Sequence, residues 1–183
     1  MRRLVIILVS FVIVFITASC GDKQFDSLYD GQEKTIESLV ENLTKGNDDA
    51  TVESNNGSIR VTLVHGEGAP LSENGAVAFY YAGYYITSSS LGSSNMFATN
   101  NESFAKSQRW STTDTTSFAI TTIKLGEDEI VEGLKNGLVG VKGGDECYVL
   151  FSGKRGFGKK KIANVPAHSA LAYRLWIKSV SND

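Results

Sequence analysis

Cysteine is almost absent: the chain has 183 residues and two cysteines, Cys20 and Cys147. Cys20 closes an N-terminal apolar stretch and Cys147 lies deep in the chain, so a disulfide framework is not what holds this fold together. Histidine is equally scarce. His65 and His168 stand far apart with no ligand-like spacing, which argues against a metal site, and no cofactor is expected. There is no excess of positive charge. The formal charge is −2, so no nucleic-acid partner is indicated. Finally, there is no apolar run of the roughly 20 residues a spanning helix needs. The longest, Leu4 to Phe15, is shorter and is interrupted by Ser10.

That short run has its own meaning. Arg2 and Arg3 precede it, and Thr17-Ala-Ser-Cys20 follows it. A basic start, a short apolar core and small residues before a cut describe a secretory signal. The cysteine in the last position resembles that of a bacterial lipobox, in which the thiol is lipidated and the cysteine becomes the mature N-terminus. An ordinary signal peptide that happens to contain a cysteine is the alternative. Removing residues 1–19 takes away two of the 18 basic side chains and none of the 20 acidic ones, leaving 16 against 20.

Residues 20–57 read as a tether and an amphipathic helix. Gly21 to Gln32 is polar, while Phe25, Leu28, Tyr29, Ile36, Leu39, Val40 and Leu43 follow helical spacing. The firmest helix is 32–45, ended by Gly46. Its narrow stripe could dock on a domain, pair with a second copy, or remain a stalk. Asn47 to Ser58 reads as a loop.

Beyond it the chain alternates as strands do. Ile59, Val61 and Leu63 form one face of a first strand, and 76–86 is dense in aromatic and β-branched residues, with Gly83 marking a bulge or close approach. Residues 100–117 form a polar insertion with Phe104 and Trp110 as isolated anchors. Phe118–Leu125 is a strand with Phe118 and Ile120 inward and Ile123 as a further inward candidate. Ile130, Val131, Leu134 and Leu138 make one face of a short helix, with Asp128 as its N-cap. Cys147, Val149 and Phe151 alternate, so Cys147 reads as a buried small hydrophobe. Leu171, Tyr173, Leu175 and Ile177 alternate in the last strand. The expected fold class is α+β, a curved antiparallel sheet wrapped on a short helix and preceded by an amphipathic one.

Four segments of residues 58–183 resemble a known family. They are Asn74–Gly83, Met96-Phe-Ala-Thr99, Leu125–Leu134 continuing to Gly144-Asp145, and Gly156-Phe-Gly158 followed by Val165-Pro-Ala-His168. In order and spacing they are similar to the FKBP-type peptidyl-prolyl cis-trans isomerases. The signal, cysteine and leading helix resemble the lipid-anchored members of bacterial envelopes. The resemblance implies a proline pocket in which Tyr81, Phe97, Phe157 and Tyr173 are catalytic and Ile130, Val131, Leu134 and Val165 bind substrate. Cys20 would carry the lipid. The implied partners are proline-containing polypeptides and a membrane, probed by a monomer or a weak dimer through the leading helix. The implied place is the bacterial cell envelope, at the outer membrane.

The sequence departs from the family at the pocket. Leu134 stands where the family puts Trp, Ala98 where it puts a carboxylate, and Phe157 where it puts Tyr. The family also has Phe near Thr121, and the gap from Phe97 to Phe118 is longer than usual. Two function classes follow: an isomerase, or a binding and chaperone module on the same fold. A sugar-binding sheet using Trp110 and Trp176 is permitted by the residues but specified by nothing. The Lys159–Lys161 run reads as a solvated loop or a contact for acidic clients, and His168 as a packing histidine rather than a base.

Overall fold

The computed structural model describes residues 20–110 and 118–182. The signal-like residues 1–19 and part of the polar insertion, 111–117, lie outside them. Helix α1 (Cys20–Thr44) leads into strands β1 (Thr51–Asn55), β2 (Ser58–Val64), β3 (Ala76–Tyr85) and β4 (Met96–Thr99). Helix α2 (Glu102–Ser107), strand β5 (Thr121–Lys124), helix α3 (Glu132–Leu138), and strands β6 (Glu146–Phe151) and β7 (Leu171–Ser181) follow. All pairings between these strands are antiparallel, in the order β1-β2-β6-β7-β3-β4. Strand β5 pairs with the first half of β3 and β4 with the second half, so two short strands share one edge.

Both faces of the sheet are covered. Val77, Phe79, Cys147, Val149, Phe151, Leu171, Tyr173, Leu175 and Ile177 point to one side, where Leu134 and Leu138 of α3 meet them. Val61, Ala82, Tyr84, Leu150 and Ala172 point to the other, where Ile36 and Leu39 of α1 meet them. The period of two in each strand thus feeds two cores rather than a core and a wet surface. Buried Cys147 behaves as the expected small hydrophobe. Its thiol is pushed up to about 12 by burial, with Asp145 adding to the shift and Arg60 opposing it.

Helix α3 sits close because it carries glycine where it touches β6. A Cβ on Gly133 would run into the Phe151 ring, and one on Gly137 into Val149. The β1–β2 hairpin pins the helix from the side. Ser58 Oγ donates to Gly133 O at 2.8 Å, and the Arg60 guanidinium donates to Gly137 O at 3.0 Å and to Val139 O. Arg60 is buried at 6 % exposure and also pairs with Glu53. A cation at these carbonyls complements the C-terminal end of the helix dipole.

Several expectations change. The helix expected over 32–45 begins at Cys20, so the stretch read as polar tether is helical. The loop expected over 47–58 contains β1, turned back by Asn56 (φ 47°) and Gly57 (φ 81°). The polar insertion holds α2, capped by Asn101, whose side chain accepts from Phe104 N. Ile120 points outward at 43 % exposure, because β5 starts only at Thr121 and its parity puts Ile123, the further candidate, inward at 8 %. Asp128 does not cap α3. Its carboxylate accepts from Lys124 N at 2.7 Å in a tight turn, and the helix starts three residues later behind Val131. Of the three fates weighed for α1, docking is the one seen.

Candidate active site

A cavity of about 490 Å³ opens between the sheet and the approach to α3. That is in the size range of small-ligand sites. Strand β3 supplies Phe79 and Tyr81, β4 supplies Phe97, β5 supplies Thr121 and Ile123, and β7 supplies Tyr173. Glu129, Ile130 and Val131 come from the extended residues before α3, and Leu134 from the helix itself. Because the helix starts late, Ile130 and Val131 present both side chains and backbone to the cavity. Among the described residues, the Val131 N–H has no acceptor.

The rings form a packed array. Tyr173 lies 5.8 Å from Phe97 at 86° and 6.1 Å from Tyr81, and stacks on Phe151 at 6.0 Å. Phe97 rests on the backbone of Gly83: a Cβ there would sit 2.6 Å from the Phe97 ring. The register shift between Gly83 and Tyr84 lies at the same point. Gly83 is therefore both the bulge and the close approach that its place in the strand suggests.

Tyr81 is held by side chains that sequence reasoning passed over. Asn100, 3 % exposed, accepts from Tyr81 N at 2.6 Å and donates to Ala119 O at 3.0 Å and Thr121 Oγ1 at 3.1 Å. Thr99 Oγ1 donates to Tyr81 O at 2.6 Å. Two buried polar residues thus tie β3, β4 and β5 together around the pocket wall. Burial raises the Tyr81 hydroxyl above its ordinary range. Burial does the same more strongly to Tyr173, and the neighbouring Tyr81 adds to it. Both phenols are therefore neutral donors at physiological pH.

Six of the eight residues expected at the site line the cavity: Tyr81, Phe97, Tyr173, Ile130, Val131 and Leu134. Two do not. Phe157 meets Phe97 edge-on at 6.1 Å but is not among the residues that line the cavity. Val165 is fully buried, because the turn closed between Ile162 and Val165 tucks its side chain into the core. Phe79, Thr121, Ile123 and Glu129 line the cavity without having been expected to. The alternation of β3 could have found Phe79; nothing local marks Glu129.

His168 lies outside the cavity and joins α1 to the loop that carries Phe157. Its ring stacks on Phe25 at 4.2 Å and its Nδ1 meets the Tyr29 hydroxyl at 2.8 Å. Its backbone N–H donates to Gly158 O at 2.6 Å. Gln32 completes the clasp, donating to His168 O and accepting from Gly153 N. Among the described residues there is no cluster of His, Cys, Asp or Glu that could hold a metal, and no helix long and apolar enough to cross a membrane.

The model of the FKBP-type peptidyl-prolyl cis-trans isomerase family matches residues 72–178. No curated protein sequence matches the chain. Several solved structures are similar. The N-terminal domain of FKBP42 from Arabidopsis thaliana aligns with a TM-score of 0.54 at 16 % identity, over 73 % of this chain and 94 % of that one. FkpA from Escherichia coli aligns with a TM-score of 0.54 at 16 % identity, over 98 % of this chain and 72 % of that one. A peptidyl-prolyl cis-trans isomerase from Pseudomonas syringae gives 0.55 at 14 %, over 82 % and 93 %.

Proposed function

The chain belongs to the FKBP-type peptidyl-prolyl cis-trans isomerase family, and we propose that it is a working isomerase, lipid-anchored through Cys20. Its clients would be proline-containing polypeptides folding in the bacterial envelope or on export. The observation that carries this reading is the gathering of Tyr81, Phe97, Tyr173, Ile130, Val131 and Leu134 around one aromatic-walled cavity of about 490 Å³.

The chemistry requires no nucleophile and no proton transfer. Amide resonance sets a barrier of roughly 18–20 kcal/mol to rotation about the peptide bond. The twisted amide has lost that resonance, so its carbonyl is less polar and its nitrogen more pyramidal than in the planar ground state. A dry aromatic cavity favours the twisted form over the planar one. Donors that hold the flanking carbonyls keep the twist in place. Here the Val131 N–H and the neutral hydroxyls of Tyr81 and Tyr173 are the groups able to do so.

A second reading has a specific observation behind it. Ala98 leaves the wall beside Tyr81 without a carboxylate, and Phe157 offers a ring edge to Phe97 and no hydroxyl. A pocket with these two losses could bind proline segments without turning them over. Isomerisation of a short Xaa-Pro peptide by the chain from Gly21 onward decides between them. A rate indistinguishable from buffer at high protein concentration rejects the enzyme and leaves the binding module.

Anchoring is supported by the lipobox-like Thr17–Cys20. The apolar stripe of α1 is used against the sheet, which favours a monomer over pairing through this helix. The outer membrane is the expected site. Cys20→Ala should release the protein into the soluble fraction; a variant extracted only by detergent would contradict lipidation.

A further inference from the structure

Four acidic residues crowd the approach to α3: Glu127, Asp128, Glu129 and Glu132. Three are already engaged. Glu127 pairs with Lys124 at 2.8 Å, Asp128 accepts from Lys124 N, and Glu132 pairs with Arg155. Glu129 alone has no charged or hydrogen-bonded partner among the described residues, and Glu129 alone of the four lines the cavity. It is exposed at the mouth, while the wall behind it is aromatic: Phe79, Tyr81, Phe97 and Tyr173.

We propose that Glu129 is a specificity-determining residue that selects a cationic side chain next to the proline, so that the preferred substrates are polypeptide segments with Lys or Arg flanking Pro. The proposal rests on this cavity being the proline site.

A proline ring seated in the cavity puts its neighbouring residue at the mouth, within reach of the rim. A carboxylate there attracts an ammonium or guanidinium and repels another carboxylate. The low-dielectric wall behind it makes the interaction stronger than at an open surface, and ring faces nearby add cation–π attraction for the same class of side chain. The lysines of the Phe157 loop do not cancel this, because none of Lys159, Lys160 and Lys161 lines the cavity.

The test uses peptides with Lys, norleucine or Glu placed before the proline, and a second set with the same residues after it. Exchange rates at low salt give kcat/KM, and calorimetry gives Kd for the same peptides. At one of the two positions, Lys should exceed Glu by about threefold to fivefold, the range of a partly exposed ion pair. The preference should shrink in Glu129→Gln and at 0.5 M salt, where the Debye length falls toward about 3–5 Å, and should invert in Glu129→Lys. Equal constants for Lys and Glu at both positions would overturn the proposal. So would a preference that survives in Glu129→Gln, since another charge would then be its source. If the norleucine peptide binds but none of the peptides turns over, the isomerase reading fails while the Kd values still decide the charge preference.

Discussion

The contact between Gly83 and Phe97 gives the most direct test of the pocket. A Cβ at position 83 would lie 2.6 Å from the tip of the Phe97 ring, with two further ring carbons at 2.9 and 3.2 Å. Ordinary carbon–carbon contact is about 3.5–4.0 Å, so Gly83→Ala displaces the ring by about 1 Å. The ring cannot swing freely, because Tyr173 meets it at 5.8 Å and Phe157 at 6.1 Å. Overpacking of this kind costs about 1–3 kcal/mol of stability. Misplacement of a positioning group by about 1 Å costs up to 100-fold in rate, so kcat/KM toward an Xaa-Pro peptide should fall by about 10- to 100-fold. Urea denaturation and peptide exchange on the same preparation separate the two effects. Adding Phe97→Leu to Gly83→Ala should restore the urea midpoint but not the rate. An unchanged kcat/KM with a lowered midpoint would refute the argument, because the ring would then be packing and nothing more.

Arg60→Met removes the donors to Gly137 O and Val139 O and should cost about 2–4 kcal/mol in urea denaturation; a loss under about 0.5 kcal/mol would mean the hairpin does not hold α3. Stability should begin to decline near pH 9, where the Cys147 thiol ionises in the unfolded chain but not in the folded one, and fall more steeply above about pH 10, the ordinary tyrosine value. Burial raises Tyr81 and Tyr173 in the folded state, so above that pH the unfolded chain gives up protons that the folded chain keeps, and each such group loses its contribution as pH rises toward the folded value. A urea midpoint equal at pH 8 and pH 11 would contradict this. Cys147 is 1 % exposed with its thiol raised to about 12, so native protein at pH 8 should resist alkylation there and react only on unfolding; rapid labelling by iodoacetamide at this residue would show the β6 core to be open.

The strands that cross the middle of the sheet could be found in the sequence because their alternation reports burial. Leu171, Tyr173, Leu175 and Ile177 face one core as their spacing demands. The same logic failed at β2, where Arg60 at 6 % and Thr62 at 4 % are as buried as Val61. Polar residues on a strand imply a wet face only if nothing covers it, and here α3 does. Strand β1 failed for the opposite reason. It is an exposed edge with no burial pattern, and the only local sign was Asn56-Gly57, the dipeptide of a tight hairpin. The first turns of α1 already showed helical spacing at Phe25, Leu28 and Tyr29, but the partner that holds them, His168, lies 139 residues beyond Tyr29, where no local rule sees it. Asp128 was a sound N-cap candidate that a nearer donor, Lys124 N, had already taken. At the site, the six lining residues that were anticipated came from the family resemblance, and Phe79 and Ile123, which strand parity could have placed, were not among them. Asn100 and Glu129, which depend on how three separate segments meet, were missed as well.

On the isomerase reading, the two losses at Ala98 and Phe157 would change where a substrate is held, not only how strongly. Ala98 follows Phe97 on β4 and Phe157 meets the same ring edge-on at 6.1 Å, so both departures lie beside Phe97. The polar groups that remain come from other elements, Thr121 of β5 among them. The Val131 N–H and Glu129 stand on the approach to α3, while the phenols of Tyr81 and Tyr173 belong to rings 6.1 Å apart on β3 and β7. A peptide in this cavity would therefore be gripped through its carbonyls from the helix side and the sheet, against a purely apolar Phe97 wall. That arrangement makes Tyr173 the group to test. Tyr173→Phe keeps the ring that Phe97, Tyr81 and Phe151 pack against and removes only a hydroxyl, so the fold should be retained. If the phenols have taken over carbonyl binding, kcat/KM should fall by about tenfold, the worth of one neutral hydrogen bond. A Tyr173→Phe enzyme as fast as the parent would leave Val131 and Tyr81 to hold the amide alone.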